Sequence, residues 1–132
     1  MTSSNDISPG MSHSVSAAVN ETNTAHTVGS GGLAVLATPS MIAMMERAAY
    51  ECVEKSMNDG QTTVGSMISI EHLAASPVGA QITATATVET ADGRKIDFKI
   101  SARDGHGEIG SGTHTRFIVD KERFMSKAQA RV

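Results

Sequence analysis

The sequence predicts an α+β domain in which a curved antiparallel sheet wraps one long helix, and two observations carry that expectation. The first is the stretch from Thr38 to Lys55. Apolar side chains at positions 41, 42, 44, 45, 48, 49, 52 and 53 recur there at three- and four-residue steps and cover more than half of the helix circumference, so this helix has to be enclosed. The second is the change of pattern after Gly60, where four long runs of period two follow one another with turn signals between them. Only a sheet made from those runs is large enough to cover the helix.

Residues 1–10 are rich in Ser, Asn and Pro and read as a flexible start, with 11–132 forming a single domain. From Met11 to Val19, Val15, Ala17 and Val19 alternate with Ser14, Ser16 and Ala18, a weak strand signal. His13 and His26 lie among polar residues and receive no role. Gly29-Ser30-Gly31-Gly32 is a flexible connection and lacks the context of a nucleotide loop. Leu33 to Ala37 fits a strand or a helical lead-in equally well.

In the helix, Thr38 is placed to cap the first turn and Pro39 to occupy the first helical position, with Gly60 as the stop. Glu46 stands on the flank of the apolar stripe, where a carboxylate must be hydrogen-bonded, paired or functional. The alternative for it is a side chain reaching solvent or a nearby Arg. Cys52 reads as packing.

Val64 to Leu73 is the first long strand run, with Val64, Ser66, Ile68, Ile70 and His72 on one face and Gly65, Met67, Ser69 and Glu71 on the other. A lone His at the end of such an apolar row is more often structural than catalytic. Pro77 to Gly79 breaks the run. Gln81 to Glu89 alternates Ile82, Ala84, Ala86 and Val88 with Thr83, Thr85, Thr87 and Glu89, and Asp92-Gly93 signals a hairpin. Lys95 to Arg103 returns with Ile96, Phe98, Ile100 and Ala102 on one face, and Asp104-Gly105-His106-Gly107 turns the chain into Glu108 to Val119. There Gly110 and Gly112 share a face with His114 and mark a bulge or a close approach, while His114 and Arg116 point the same way. Lys121 to Arg131 is a short charged segment compatible with a terminal helix.

At 132 residues the chain has room for one core, and its 39% hydrophobic content is ordinary. With 3% aromatic residues and no Trp, that core is thin and favours self-association. The net charge of -3 is uneven: residues 1–46 carry no Lys or Arg and three acids, whereas 94–131 holds nine basic residues against five acidic ones. Such an excess suits a phosphorylated small molecule. It is neither dense nor aromatic enough for nucleic acid. The single cysteine gives no sign of an oxidising compartment. No apolar run reaches the roughly 18 residues of a membrane span and no signal-peptide pattern opens the chain, so a cytoplasmic protein without membrane association is expected.

Specific residues sharpen the picture. Thr38 with Glu46 eight residues on, Val64-Gly65, the block Ile70-Glu71-His72-Leu73-Ala74-Ala75-Ser76-Pro77, Asp92-Gly93-Arg94, and the string Glu108-Ile109-Gly110-Ser111-Gly112-Thr113-His114-Thr115-Arg116 resemble the fluoroacetyl-CoA thioesterase group of hotdog enzymes. The similarity runs from about Leu33 to Phe124, and the glycine-rich string is its most specific part. The resemblance implies a homodimeric hotdog that hydrolyses a short-chain acyl-CoA thioester to free acid and CoA, with catalytic Thr38, Glu46 and His72. It implies substrate contacts at Gly65 and, by position, Arg116, and no metal or cofactor besides the CoA thioester itself.

Those residue types suit the chemistry. His72 can move protons near neutral pH, Glu46 can orient it or act as base or nucleophile, Thr38 can hold water or substrate, and an N–H at Gly65 can serve an oxyanion. The aromatic lid over the acyl pocket of the fluoroacetate-selective enzyme corresponds to Gly29 to Gly32 here, a departure that argues against carrying fluoroacetyl selectivity over. A CoA- or acyl-carrier-binding module without turnover, and less so a hotdog hydratase or dehydratase, are the alternatives. Thr38 and Glu46 are about 12 Å apart along the helix, so the site is expected to form across a dimer interface, with the helix end of one subunit facing either the strand that carries His72 or the Glu46 flank of the other.

Overall fold

The structure, a computed structural model, describes residues 5–132. Its elements are β1 (Ser12–Ala18), α1 (Ala25–Val28), α2 (Thr38–Glu54), β2 (Gln61–His72), β3 (Gln81–Asp92), β4 (Lys95–Asp104), β5 (Gly107–Asp120) and α3 (Lys121–Gln129). The strands form one antiparallel sheet in the order β1-β3-β4-β5-β2. α2 lies across its inner face and buries Met41, Met45, Ala48, Ala49, Cys52 and Val53. Opposite them stand Ile82, Ala84, Ala86 and Val88 of β3 and Ile96, Phe98, Ile100 and Ala102 of β4, all buried. The many Ala residues on both sides let helix and sheet approach closely, and a core poor in aromatics is filled in this way.

The four long runs appear as β2 to β5, and the weak first run as β1. On the outer face Ser12, Ser14 and Ser16 bond Thr87, Thr85 and Thr83 hydroxyl to hydroxyl. Residues 1–4 of the expected flexible start lie outside the described residues. Beyond them Asn5 Nδ2 donates to the Ser56 carbonyl at 2.9 Å, and the Gly10 amide donates to the Val88 carbonyl at 2.9 Å. The short helix α1 has no counterpart in the sequence reading. Leu33 to Ala37 is neither strand nor helix along its length: Leu36 bridges Thr24 and Val35 bridges Pro77.

Three local expectations are corrected. Thr38 does not cap α2; Ala37 occupies the cap position with no side-chain bond, and Thr38 is the first helical residue. The helix ends at Glu54, ahead of Gly60, which serves instead at φ +80 in the turn that opens β2. The third correction concerns faces. A bulge at Ser66 shifts the β2–β5 register between Gly65 and Met67. One inserted residue exchanges the two faces of a strand, so Thr63 and Gly65, rather than Val64 and Ser66, share the helix-facing side with Ile68, Ile70 and His72. Gly65 and His72 therefore look the same way.

Among the described residues, no helix is long and apolar enough to cross a membrane.

Candidate active site

The start of α2 and the end of β2 are brought together by backbone bonds. The Leu36 amide donates to the Ser76 carbonyl at 2.8 Å, and the Leu73 amide donates to that of Ile109 at 2.6 Å. Released from capping, the Thr38 hydroxyl lies 2.7 Å from His72 Nδ1 in the same chain. His72 Nε2 is buried without a hydrogen-bond partner. Burial pushes the His72 pKa down, because desolvation penalises the imidazolium. This pair borders an open cleft of about 260 Å³, whose wall, among the described residues, includes Ala25, Ser30, Val35, Leu36 and Leu73 and no Phe, Tyr or Trp side chain.

Glu46 stands two turns further along α2, half-exposed. Its Oε2 lies 3.8 Å from Arg116 Nη1 and 4.0 Å from His114 Nε2, at ion-pair distance but beyond hydrogen bonding. Gly65 faces it from β2, and a Cβ there would come 2.8 Å from Glu46 Oε2 and 3.1 Å from His114 Cε1. Residue 65 thus provides the space the carboxylate occupies. Gly112 has a different purpose: a Cβ there would collide with the Ser69 carbonyl oxygen of β2, so it permits the close strand approach expected from the glycine pattern.

Arg116 was expected at the substrate; it sits on the inner face of β5 with only 7% of its surface exposed. Its Nε donates to Thr63 Oγ1 at 2.9 Å, its Nη2 to the Thr63 carbonyl at 3.0 Å, and its Nη1 reaches His114 Nε2 at 3.2 Å. The guanidinium carbon also lies 5.7 Å from the centre of the Tyr50 ring, a cation–π distance. Burial lowers the Arg116 pKa, yet a guanidinium stays charged. Its charge is thus held beside Glu46.

The sequence reading paired His114 with Arg116 by direction and assigned His114 no role. Among the described residues, no group of three or more His, Cys, Asp or Glu side chains is placed to hold a metal ion.

A helix laid across five antiparallel strands is the architecture of a hotdog fold. The model of the fluoroacetyl-CoA-specific thioesterase family matches residues 19–122. The fluoroacetyl-CoA thioesterase of Streptantibioticus cattleyicolor is 37% identical over 95 residues, 72% of this chain and 68% of that protein. A solved structure of the fluoroacetyl-CoA thioesterase FlK superposes with a TM-score of 0.89 at 30% identity, covering 96% of this chain and 98% of that one. A FlK mutant in complex with fluoroacetate and CoA superposes with a TM-score of 0.85 at 30% identity, covering 89% and 99%. A thioesterase superfamily member from Thermus thermophilus, at 23% identity and a TM-score of 0.87 over 94% and 92%, shares the fold. The chain belongs to the fluoroacetyl-CoA-specific thioesterase family of hotdog thioester hydrolases.

Proposed function

We propose that this protein hydrolyses short-chain acyl-CoA thioesters to the free acid and CoA, with Thr38, Glu46 and His72 as its catalytic residues and Gly65 and Arg116 shaping the site around Glu46. The observation that carries this reading is the 2.7 Å contact of Thr38 Oγ1 with His72 Nδ1 beside an open cleft. A neutral imidazole with one nitrogen already oriented is suited to take a proton and return it. In hydrolysis the C–S bond breaks as a C–O bond forms: water supplies the oxygen, its proton passes through the site, and the CoA sulfur leaves as the thiol. Glu46 serves as base or as nucleophile; single turnover in ¹⁸O-water tests the nucleophilic route, because label enters the Glu46 carboxylate only when water opens an acyl-Glu46 anhydride at the Glu46 carbonyl.

The active unit is a homodimer with shared sites. β2 is an edge strand, twelve residues long, with Met67 exposed; such an edge calls for a partner. Thr38 and His72 act from one chain, and with Glu46 about 12 Å along the helix, the carboxylate in each site comes from the other copy. Refolding Thr38→Ala together with Glu46→Ala then regenerates one intact site per heterodimer, about a quarter of wild-type activity in a statistical mixture. Refolding Thr38→Ala with His72→Ala regenerates none. Equal recovery in both mixtures, or none in either with heterodimers present, refutes the shared site.

Because the cleft wall, among the described residues, holds no Phe, Tyr or Trp side chain, unfluorinated short acyl-CoAs are cleaved about as readily as fluoroacetyl-CoA. Selectivity of a hundredfold, roughly 2.7 kcal/mol of differential transition-state binding, would assign the discrimination to another element. Thiol release from an acyl-CoA panel, with CoA binding measured in parallel, tests the activity itself. Binding without release leaves a carrier module.

A further inference from the structure

The buried His114 has no place in the mechanism above, although it is 1% exposed and stacks against Phe98 with ring centres 6.1 Å apart. Its Nδ1 lies 2.8 Å from the Met67 carbonyl oxygen. A carbonyl can only accept, so the proton sits on Nδ1 and the neutral ring presents a lone pair at Nε2. Burial holds the ring neutral, and the adjacent Arg116 charge acts in the same direction. The lone pair therefore accepts from Arg116 Nη1 at 3.2 Å.

The consequence lies one residue further on. Arg116 is clamped at three nitrogens, two by Thr63 and one by His114. Only Nη1 faces Glu46, at 3.8 Å. Without an acceptor at residue 114 the planar guanidinium is held only by its two bonds to Thr63, and a tilt of the whole group about them brings Nη1 onto the carboxylate as a direct, hydrogen-bonded ion pair. The bond to His114 keeps cation and carboxylate at ion-pair distance without a direct hydrogen bond between them, so that Glu46 retains lone pairs for water or the thioester carbon. The bulge at Ser66 has a part in this, since it sets the Met67 carbonyl against Nδ1.

We propose that His114 is a positioning residue of the thioesterase, a neutral hydrogen-bond acceptor that fixes the Arg116 guanidinium at a set distance from Glu46. This rests on the reading of Glu46 as a catalytic group, but its physical core, the tether on Arg116, can be observed without turnover.

Two substitutions separate tether from packing. His114→Gln places an amide oxygen where Nε2 stood and keeps the acceptor; His114→Asn reaches only as far as Nδ1 and keeps the Met67 bond alone. Both disturb the core, so both lower the unfolding temperature. The expected result is that His114→Asn loses about tenfold or more in kcat with KM changed less than about twofold, whereas His114→Gln recovers most of that loss. In parallel, the Arg116 Nη–H resonances, slow to exchange in the wild type, remain so in His114→Gln and are averaged in His114→Asn. Equal activities in the two variants, or guanidinium signals that do not follow the acceptor, overturn the proposal. Failure of the reading beneath it looks different: the resonances follow the acceptor, but the wild type releases no thiol or Glu46→Gln remains as active as wild type.

Discussion

The two halves of the site are built in opposite ways. Thr38 and His72 meet at the rim of an open cleft through one hydrogen bond, and the second imidazole nitrogen is left without a partner. Arg116 and His114 are sealed, at 7% and 1% exposure, with bonds to Thr63 and Met67 that hold them in place. The difference fits the roles proposed for the two halves. Groups that exchange protons with a substrate have to keep unspent hydrogen-bonding capacity. A buried, unpaired cation costs several kcal/mol, and Arg116 is held by three hydrogen bonds with Glu46 at ion-pair distance. Glu46, with 43% of its side chain exposed, is where the sealed half reaches the open one.

The largest expected effect breaks that junction. Glu46→Gln removes the charge while keeping the shape and should lower kcat by about 10²–10⁴-fold, with a native-like circular dichroism spectrum and a lowered unfolding temperature, because Glu46 is the carboxylate at ion-pair distance from the buried Arg116. Retained activity would move the chemistry wholly to the Thr38–His72 end.

At the open end, Thr38→Ala should cost about 10²-fold in kcat through loss of the hydroxyl that orients His72, and Thr38→Ser less than about fivefold. Neither should affect stability much, since Thr38 is exposed and caps nothing. A large fall in unfolding temperature in Thr38→Ala would return Thr38 to a structural role.

A pair of glycines sharpens the contrast further. Gly65→Ala meets the end of the Glu46 side chain, which can move aside, and crowds the buried His114 ring at 3.1 Å, so activity should drop about tenfold with a smaller loss of stability than in Gly112→Ala. Gly112→Ala meets the Ser69 backbone, which cannot move cheaply. It should cost on the order of 1–3 kcal/mol in urea unfolding, or more, and lower activity only through the folded fraction. The reverse ranking would undo the assignment of the two positions.

The smallest effect is in pH. Burial holds the pKa of His72 below its ordinary value of 6.5, so the neutral base persists further into acid, and the acid limb of kcat/KM should have its midpoint below 6.5. The pKa of His114 is lowered from the same value. For both, the unfolded chain takes up protons first as pH falls, so the stability they lend is present above 6.5 and is lost as pH drops through the depressed folded values. The urea midpoint should therefore be lower at pH 5.5 than at pH 7.5, and less pH-dependent in His114→Gln. A midpoint equal at both pH values would contradict the neutral assignment.

The candidate set Thr38, Glu46 and His72 came from its resemblance to a family pattern, and the enclosing sheet was legible because period two is a local property of the chain. The roles of Arg116 and His114 were less so. Their shared direction on β5 could be read from a two-residue spacing, but whether they face solvent, a ligand or Glu46 depends on what lies across from them. The bulge at Ser66 was hidden for the same reason: nothing in Val64-Gly65-Ser66-Met67 departs from alternation, and the extra residue becomes visible only when β2 is laid against β5.

By itself the sequence determined the long helix and the four long strands, since apolar periodicity, Asp92-Gly93 and the glycines of β5 act over a few residues, where side-chain geometry leaves little choice. Only the tertiary structure decided that Thr38 gives its hydroxyl to His72 rather than to the helix, that Gly65 and His72 share a face, and that Arg116 is held by Thr63 and His114 against Glu46. Those outcomes depend on distances between residues up to 53 positions apart, and such distances exist only after the sheet has closed around the helix.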